Sequence, residues 1–300
     1  MNPLAPIQPD RAFKYLLDVC KLGSRMSGSP GMEKQQRLLA EHFGKFKAKV
    51  SLQAFDAPHP LTGNPVRLHN LIVTWDPDAT ERVLLCCHYD TRPLPDRDPN
   101  PQLRTSGEFI GANDGGSGVA VLMELANHMR SITPRYGVDF VFFDAEELIY
   151  SPNFGVDQGT YFLGSIHFAR EYVKTPPAHR YLAGVLVDMV GDRQLQIYME
   201  ANSLKYAPGV TKGVFDTAAE LKITEFVGRV RHEIRDDHLP LNEIAKIPTT
   251  NLIDFDFPHW HTSRDVPAAC SGQSLAKVAR VLLAWLENPR GVDFPPAAAE

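Results

Sequence analysis

Val138-Asp139-Phe140-Val141-Phe142-Phe143-Asp144, running on into Ala145-Glu146-Glu147, is the stretch on which the fold turns. Its large apolar side chains occupy positions of both parities. A strand of that kind is covered on both faces, as in a mostly parallel sheet with a helix layer on each side. Two neighbours share the character: 82–88 (RVLLCCH) and 183–188 (AGVLVD). Residues 68–75 (LHNLIVTW) read as a strand, and 247–253 (IPTTNLI) as one more. Helical periodicity fills the intervals. A first helix starts near Pro9–Asp10, with Phe13, Leu16, Leu17 and Cys20 on one face. A second follows the turn Ser27-Gly28-Ser29-Pro30-Gly31, with Leu38, Leu39 and Phe43 inward. Others are expected over 117–131, 160–173 and 209–222, and over 274–287 with Leu275, Val278, Leu282 and Trp285 on one side. The alternation predicts an α/β chain: a single-domain three-layer α/β/α sandwich around a central mixed, mostly parallel sheet. No linker splits it. The domain is expected over 1–287, with 288–300, rich in Pro and Ala, as a loose C-terminal tail.

Composition removes several function classes. The 300 residues are 43% hydrophobic and 22% charged, ordinary for a globule with a sizeable core. No run approaches the roughly 18 apolar residues of a membrane span. A formal net charge of −5 argues against binding a phosphate backbone. The expectation is therefore no nucleic-acid and no membrane partner. The N-terminal MNPLAPIQPDRAFKYLL has no basic start ahead of an apolar core, so no signal peptide is expected and the address is cytoplasmic. Cys20, Cys86, Cys87 and Cys270 form no C-x-x-C pair, and buried thiols are expected rather than disulfides. Cys86 and Cys87 should point to opposite faces of one strand. Oligomeric state leaves no trace in the sequence.

The ionisable residues fall at strand ends. One strand ends in His88-Tyr89-Asp90, a second in Asp144-Ala145-Glu146-Glu147, a third in Asp188 followed by Met189-Val190-Gly191-Asp192. The last leads into Asp254-Phe255-Asp256-Phe257-Pro258-His259-Trp260-His261. Between the first two lies Gly111-Ala112-Asn113-Asp114-Gly115-Gly116-Ser117-Gly118, a turn that opens a helix. In a parallel sheet these ends share one edge, where loops bind ligands. Converging carboxylates repel by about 4 kcal/mol at 4 Å and an effective dielectric near 20. A divalent metal removes that cost, and mixed carboxylate and imidazole donors suit zinc with an open position.

Singly, each residue has a plainer reading. Asp114 alone is equally a helix N-cap. His88 alone reads as a hydrogen-bonded core histidine, Asp144 and Asp188 as strand terminators, and Glu146-Glu147 as a solvated helix start. His259 reads as an exposed loop residue and His238 as a structural hydrogen bonder. Asp254 and Asp256 are assigned to the rim of the site, and 91–109 to a pocket wall with no chemistry. The glycine turn fits neither G-x-x-x-x-G-K-[ST] nor G-x-G-x-x-G, and no G-x-S-x-G is present. The repetition at four strand ends carries the site.

These residues resemble the zinc aminopeptidase superfamily known as peptidase family M28, and within it the glutaminyl-peptide cyclotransferases, or glutaminyl cyclases. The pieces are GSRMSGSPG, HNLIVT, LLCCHYDTRP, FIGANDGGSGVAVLMELA, VDFVFFDAEE, YFLGS, VLVDMVGD, RDDHLPL and FPHWHTSRD, in the family's order across about residues 10–287. The resemblance implies zinc held by Asp114, Glu147 and His261, with Glu146 as general acid/base. In two-metal aminopeptidases of the family the positions of His88 and Asp188 hold a second ion, with Asp114 bridging. In the one-zinc cyclases Asp188 joins Glu146 and Asp236 in a hydrogen-bonded acid network. Asp90 is implied to orient His88.

Three features resemble the cyclases: Trp260 before His261, Phe257 as a pocket aromatic, and the extra acid in Asp236-Asp237-His238. NDGGSG is closer to the aminopeptidase NDDGSG. The segment LIYSPN lacks the tryptophan of animal cyclases, with Tyr150 or Phe154 in its place. The implied reaction is conversion of an N-terminal Gln of a peptide or protein to pyroglutamate with release of ammonia, using one zinc ion. The alternatives are a two-zinc aminopeptidase and a metal-free binding relative. The presence of every candidate ligand counts against the last.

Overall fold

The computed structural model describes residues 6–153 and 156–292. In chain order the elements are α1 (Pro9–Cys20), α2 (Pro30–Gly44), β1 (Lys49–Pro58), β2 (Pro65–Trp75), β3 (Glu81–His88), α3 (Leu103–Ser106), α4 (Ser117–Ala126) and β4 (Gly137–Phe143). There follow β5 (Tyr150–Asn153), β6 (Val156–Gln158), α5 (Leu163–Lys174), β7 (Arg180–Asp188), β8 (Ile197–Glu200), α6 (Ala201–Tyr206) and α7 (Pro208–Glu220). The chain ends with β9 (Phe226–His232), α8 (His238–Glu243), β10 (Thr249–Ile253) and α9 (Gly272–Glu287).

The main sheet has six strands in the order β1-β2-β4-β3-β7-β10. The pairs β4–β3, β3–β7 and β7–β10 are parallel, whereas β1–β2 and β2–β4 are antiparallel. Alternation of side chains divides the core. Val83, Leu85 and Cys87 of β3, Phe140 and Phe142 of β4, and Val185 and Val187 of β7 pack under α1, α2, α4, α7 and α9. Leu84, Cys86, Val141, Phe143 and Leu186 face α5 and α8 on the other side. The three-layer reading of the sequence is therefore correct, and Cys86 and Cys87 do part to opposite faces. All four thiols are buried and free.

The sequence underread the periphery. Strand β1 is an edge strand whose outward positions are exposed, so its polar pattern gave little sign of it. The helix expected over 117–131 stops at Ala126. There Asn127 Nδ2 donates to the carbonyls of Met123 and Glu124 at 3.2 and 3.1 Å, satisfying groups that another turn would have used. Residues 288–292, expected in a loose tail, are packed on the domain. Trp285 Nε1 donates to Arg290 O at 3.2 Å, Arg290 pairs with Glu220 at 2.5 Å, and Val292 is buried in the core, while 293–300 lie outside the described residues. Among the described residues no helix is long and apolar enough to cross a membrane.

Candidate metal centre

Parallel pairing sets the site. Strands β3 and β4 run in register to His88 opposite Phe143, and Ile253 of β10 sits opposite Asp188 of β7. The chain leaving each strand therefore starts from one edge of the sheet. His88 Nε2 lies 3.1 Å from Asp188 Oδ1 and 3.2 Å from Asp114 Oδ1. The other Asp114 oxygen, Oδ2, is 3.6 Å from His261 Nε2, which is 2.8 Å from Glu147 Oε1. Donor atoms of Asp114, Glu147 and His261 all lie within 4.8 Å of one another, as do those of His88, Asp114 and Asp188.

The backbone is arranged to permit this. Asp90 accepts from the backbone N–H of Glu146 at 3.1 Å and of Glu147 at 3.0 Å. Its Oδ1 also faces His88 Nδ1 at 3.6 Å, so the one carboxylate holds both glutamates and stands against the imidazole, as the resemblance had implied. The reason is the register: Tyr89 N donates to Phe143 O at 3.1 Å, which sets Asp90 beside the turn after β4. Asp265 clamps the other loop, accepting from Asn113 N at 2.7 Å and Asp114 N at 3.0 Å. Buried Arg25 donates to Ile110 O at 2.7 Å and Gly111 O at 2.9 Å. Gly115 has φ +75°, and a Cβ there would meet Asp90 O at 2.3 Å. Ala145, Met189 and His261 are held at φ +55°, +46° and +57°, each at or beside a site residue. Left-handed non-glycine residues cost about 1–3 kcal/mol each, so the surrounding contacts hold the loops in these poses.

The electrostatics suit a cation. Burial pushes the Glu146 carboxyl well above its ordinary range, and the Glu147 charge adds to this. Burial and then Glu147 raise Asp114 to about 6, and burial and then Asp188 raise Asp236 to about 7. Burial opposes ionisation of Glu147 too, but His261 and Arg92 outweigh it and hold that carboxyl near 2. Asp114 Oδ2 and Glu147 Oε2 are buried with no hydrogen-bond partner. Tetrahedral zinc with bonds of about 2.0–2.1 Å places its donors about 3.3–3.4 Å apart. The 2.8 and 3.6 Å separations bracket that figure, so the donor set fits zinc.

Beside this cluster opens a cavity of about 860 Å³. Asp114, Glu146, Glu147, Asp188, Asp236 and His261 line it, and Trp260 forms part of its wall. Direct hydrogen bonds among Glu146, Asp188 and Asp236 are absent among the described residues. Asp236 instead accepts from Asn251 Nδ2 at 2.8 Å and Asp237 N at 2.6 Å.

Other expectations need correction. Phe257 is not a pocket aromatic: it is buried with Met189, Ile234 and Ile253, and Phe255 lines the cavity in its place. Beyond β10 the chain turns, Phe257 N donating to Asp254 O, so strand alternation no longer predicts which side chain faces the site. Tyr150 stands against His59 with ring centres 5.4 Å apart, away from the cavity, and Phe154 lies outside the described residues. Tyr161 and Phe162 form that wall. Asp254 accepts from Gln196 N at 2.8 Å, and Asp256 pairs with Arg231 at 3.1 Å, so neither belongs to the rim. Asp144 takes His69 N at 2.8 Å, and His238 faces Glu200 at 3.1 Å, both structural. His259 is seated edge-on against Phe257. The 91–109 segment carries more than wall. Asp96 Oδ1 lies 3.2 Å from His261 Nδ1, and Arg92 Nη1 lies 3.4 Å from Glu147 Oε1. Arg92 lies inside the piece LLCCHYDTRP but drew no role there, and Asp96 lies in no such piece.

Carboxylates and imidazoles gathered at the carboxyl edge of a mostly parallel sheet, beside a cavity, define an α/β enzyme. The chain belongs to peptidase family M28, whose model matches residues 70–286. It is 39% identical to the glutaminyl cyclase of Fimbriiglobus ruber, with a TM-score of 0.90 over 96% of this chain and 97% of that one. A leucine aminopeptidase precursor of Bacteroides thetaiotaomicron is 29% identical, with a TM-score of 0.88 over 95% and 99%. Among curated proteins, a glutaminyl-peptide cyclotransferase-like protein of Bos taurus is 24% identical over 293 residues, 89% of this chain and 73% of that protein.

Proposed function

We propose that this protein is a glutaminyl-peptide cyclotransferase that closes the N-terminal Gln of peptides or proteins to pyroglutamate and releases ammonia. The likeness to the Fimbriiglobus ruber glutaminyl cyclase over 96% of the chain carries this reading. Trp260, whose ring lies 4.2 Å from that of His261 on the cavity wall, supports it as a substrate contact.

Asp114, Glu147 and His261 would hold one zinc ion, which when bound supplies Lewis acidity toward the substrate's γ-carbonyl oxygen. The substrate carries both reacting groups, so the cavity need only fold the Gln side chain toward its own α-amine. The α-nitrogen forms a bond to Cδ as the C–N bond of the side-chain amide breaks. Glu146 takes a proton from the α-ammonium and returns it to the departing ammonia. Its raised pKa, caused by burial and then by Glu147, suits a group that must both accept and give a proton near neutrality. Asp237 and Asp236 add to that shift by like charge.

One observation favours a second reading. The His88, Asp114 and Asp188 donors are close enough to hold a second ion, the arrangement a two-zinc aminopeptidase would use. A paired assay separates the two. A Gln-initiated peptide should lose one NH₃ in mass and yield ammonia, with one zinc per chain on the same sample. Release of leucine from a leucyl amide, without ammonia from the Gln peptide, would replace the cyclase by the aminopeptidase.

A further inference from the structure

We propose that Arg92 is a positioning residue that locks two of the metal ligands to each other and to the cavity wall. The inference rests on the assignment of Glu147 and His261 as ligands. Arg92 follows β3 by four residues and is only 2% exposed, yet three of its nitrogens face different parts of the site. Nε donates to Asp96 Oδ2 at 2.7 Å, and the opposite oxygen of that carboxylate lies 3.2 Å from His261 Nδ1. Nη1 donates to Glu147 Oε1 at 3.4 Å. Nη2 donates to Tyr161 Oη at 3.2 Å, and Tyr161 in turn donates to Asp157 at 2.7 Å.

A planar guanidinium offers donors at fixed angles. It therefore sets the separation of Glu147 from the Asp96–His261 pair, whereas a point charge would only attract both. Asp96 places a carboxylate oxygen 3.2 Å from His261 Nδ1, which leaves Nε2 as the metal-facing nitrogen. The third arm reaches the wall that lines the substrate cavity. The cavity wall and the geometry of the ligands thus share one rigid part.

The test measures zinc affinity by competition with a chromophoric chelator, and the visible bands of the cobalt-substituted protein, for wild type, Arg92→Met, Arg92→Lys and Asp96→Asn. Arg92→Met should weaken zinc by about 10–100-fold, the range for losing an outer partner of a ligand, and shift the cobalt bands. Arg92→Lys should recover only part of this, because one ammonium cannot replace the fork. The Arg92→Met/Asp96→Asn double variant should lose less affinity than the product of the two single losses, because the two residues share the path to His261. Wild-type zinc affinity and cobalt bands in Arg92→Met would overturn the inference while leaving the metal assignment standing. Failure of wild type to take up stoichiometric zinc would instead overturn the assignment itself. If Arg92→Met does not fold, Arg92→Lys and Asp96→Asn decide: unchanged affinity and bands in both reject the proposal.

Discussion

The two ends of the same parallel strands are both charged and buried, and they differ in one respect. At the amino ends Arg82 meets Asp139 through two nitrogens, at 2.9 Å each, and Tyr181 Oη donates to the same carboxylate at 2.6 Å. The remaining Arg82 donors go to the carbonyls of Trp75, Asp76 and Val138 at 2.7, 2.6 and 3.0 Å. That cluster is complete. At the carboxyl ends Asp114, Glu146, Glu147, Asp188 and Asp236 outnumber the imidazoles, and two carboxylate oxygens have no partner. A buried cluster satisfied by its own chain holds a fold together. One with more carboxylates than cationic partners and with open acceptors is a candidate site for a cation.

The comparison can be broken most severely at His261. His261→Ala removes the sole nitrogen of the three-donor set, and elemental analysis should find zinc largely lost. Full occupancy would contradict the incomplete-site reading. Next, Glu146→Gln should retain zinc and lower turnover by on the order of 10²–10⁴, since the amide cannot carry the proton. An unchanged rate with zinc bound would remove Glu146 from the chemistry.

At the opposite end, Arg82→Met leaves Asp139 buried without its cation. Urea unfolding should show a loss of about 3–5 kcal/mol, with zinc content of the folded protein unaltered. A drop in zinc comparable to that of His261→Ala would show that the two ends are not separable. The smallest effect lies in the helix layer. Burial pushes the His42 imidazole from its ordinary 6.5 down to about 4. With the folded value below the unfolded one, its contribution to stability is full above pH 6.5 and is lost as the pH falls toward 4. His42→Gln should therefore flatten the fall in the urea midpoint across that window. An identical slope in the variant would show that other groups carry the acid sensitivity.

Part of the site was legible because strand alternation and strand ends are local properties. The run 138–144 showed that both faces of β4 are covered, and the residues at its end pointed to Glu146 and Glu147. Legibility ended beyond the last strand. The resemblance implied Phe257 as the pocket aromatic, yet the turn after β10 gives that position to Phe255. Arg25 and Asp265 lie inside GSRMSGSPG and FPHWHTSRD but drew no role, and Asp96 lies in none of those pieces, because each acts on backbone or side chains that are distant in sequence.

From the sequence alone came the three layers, the burial of Cys86 and Cys87 on opposite faces, and the set of residues from which a metal centre could be drawn. These follow from side-chain periodicity, which each segment carries within itself. Tertiary structure decided which of those residues meet, that Asp90 grips the glutamate backbone, and that a segment taken for wall delivers Arg92 and Asp96. Those contacts depend on the path of loops between elements, and a loop's path is set by the body it closes over.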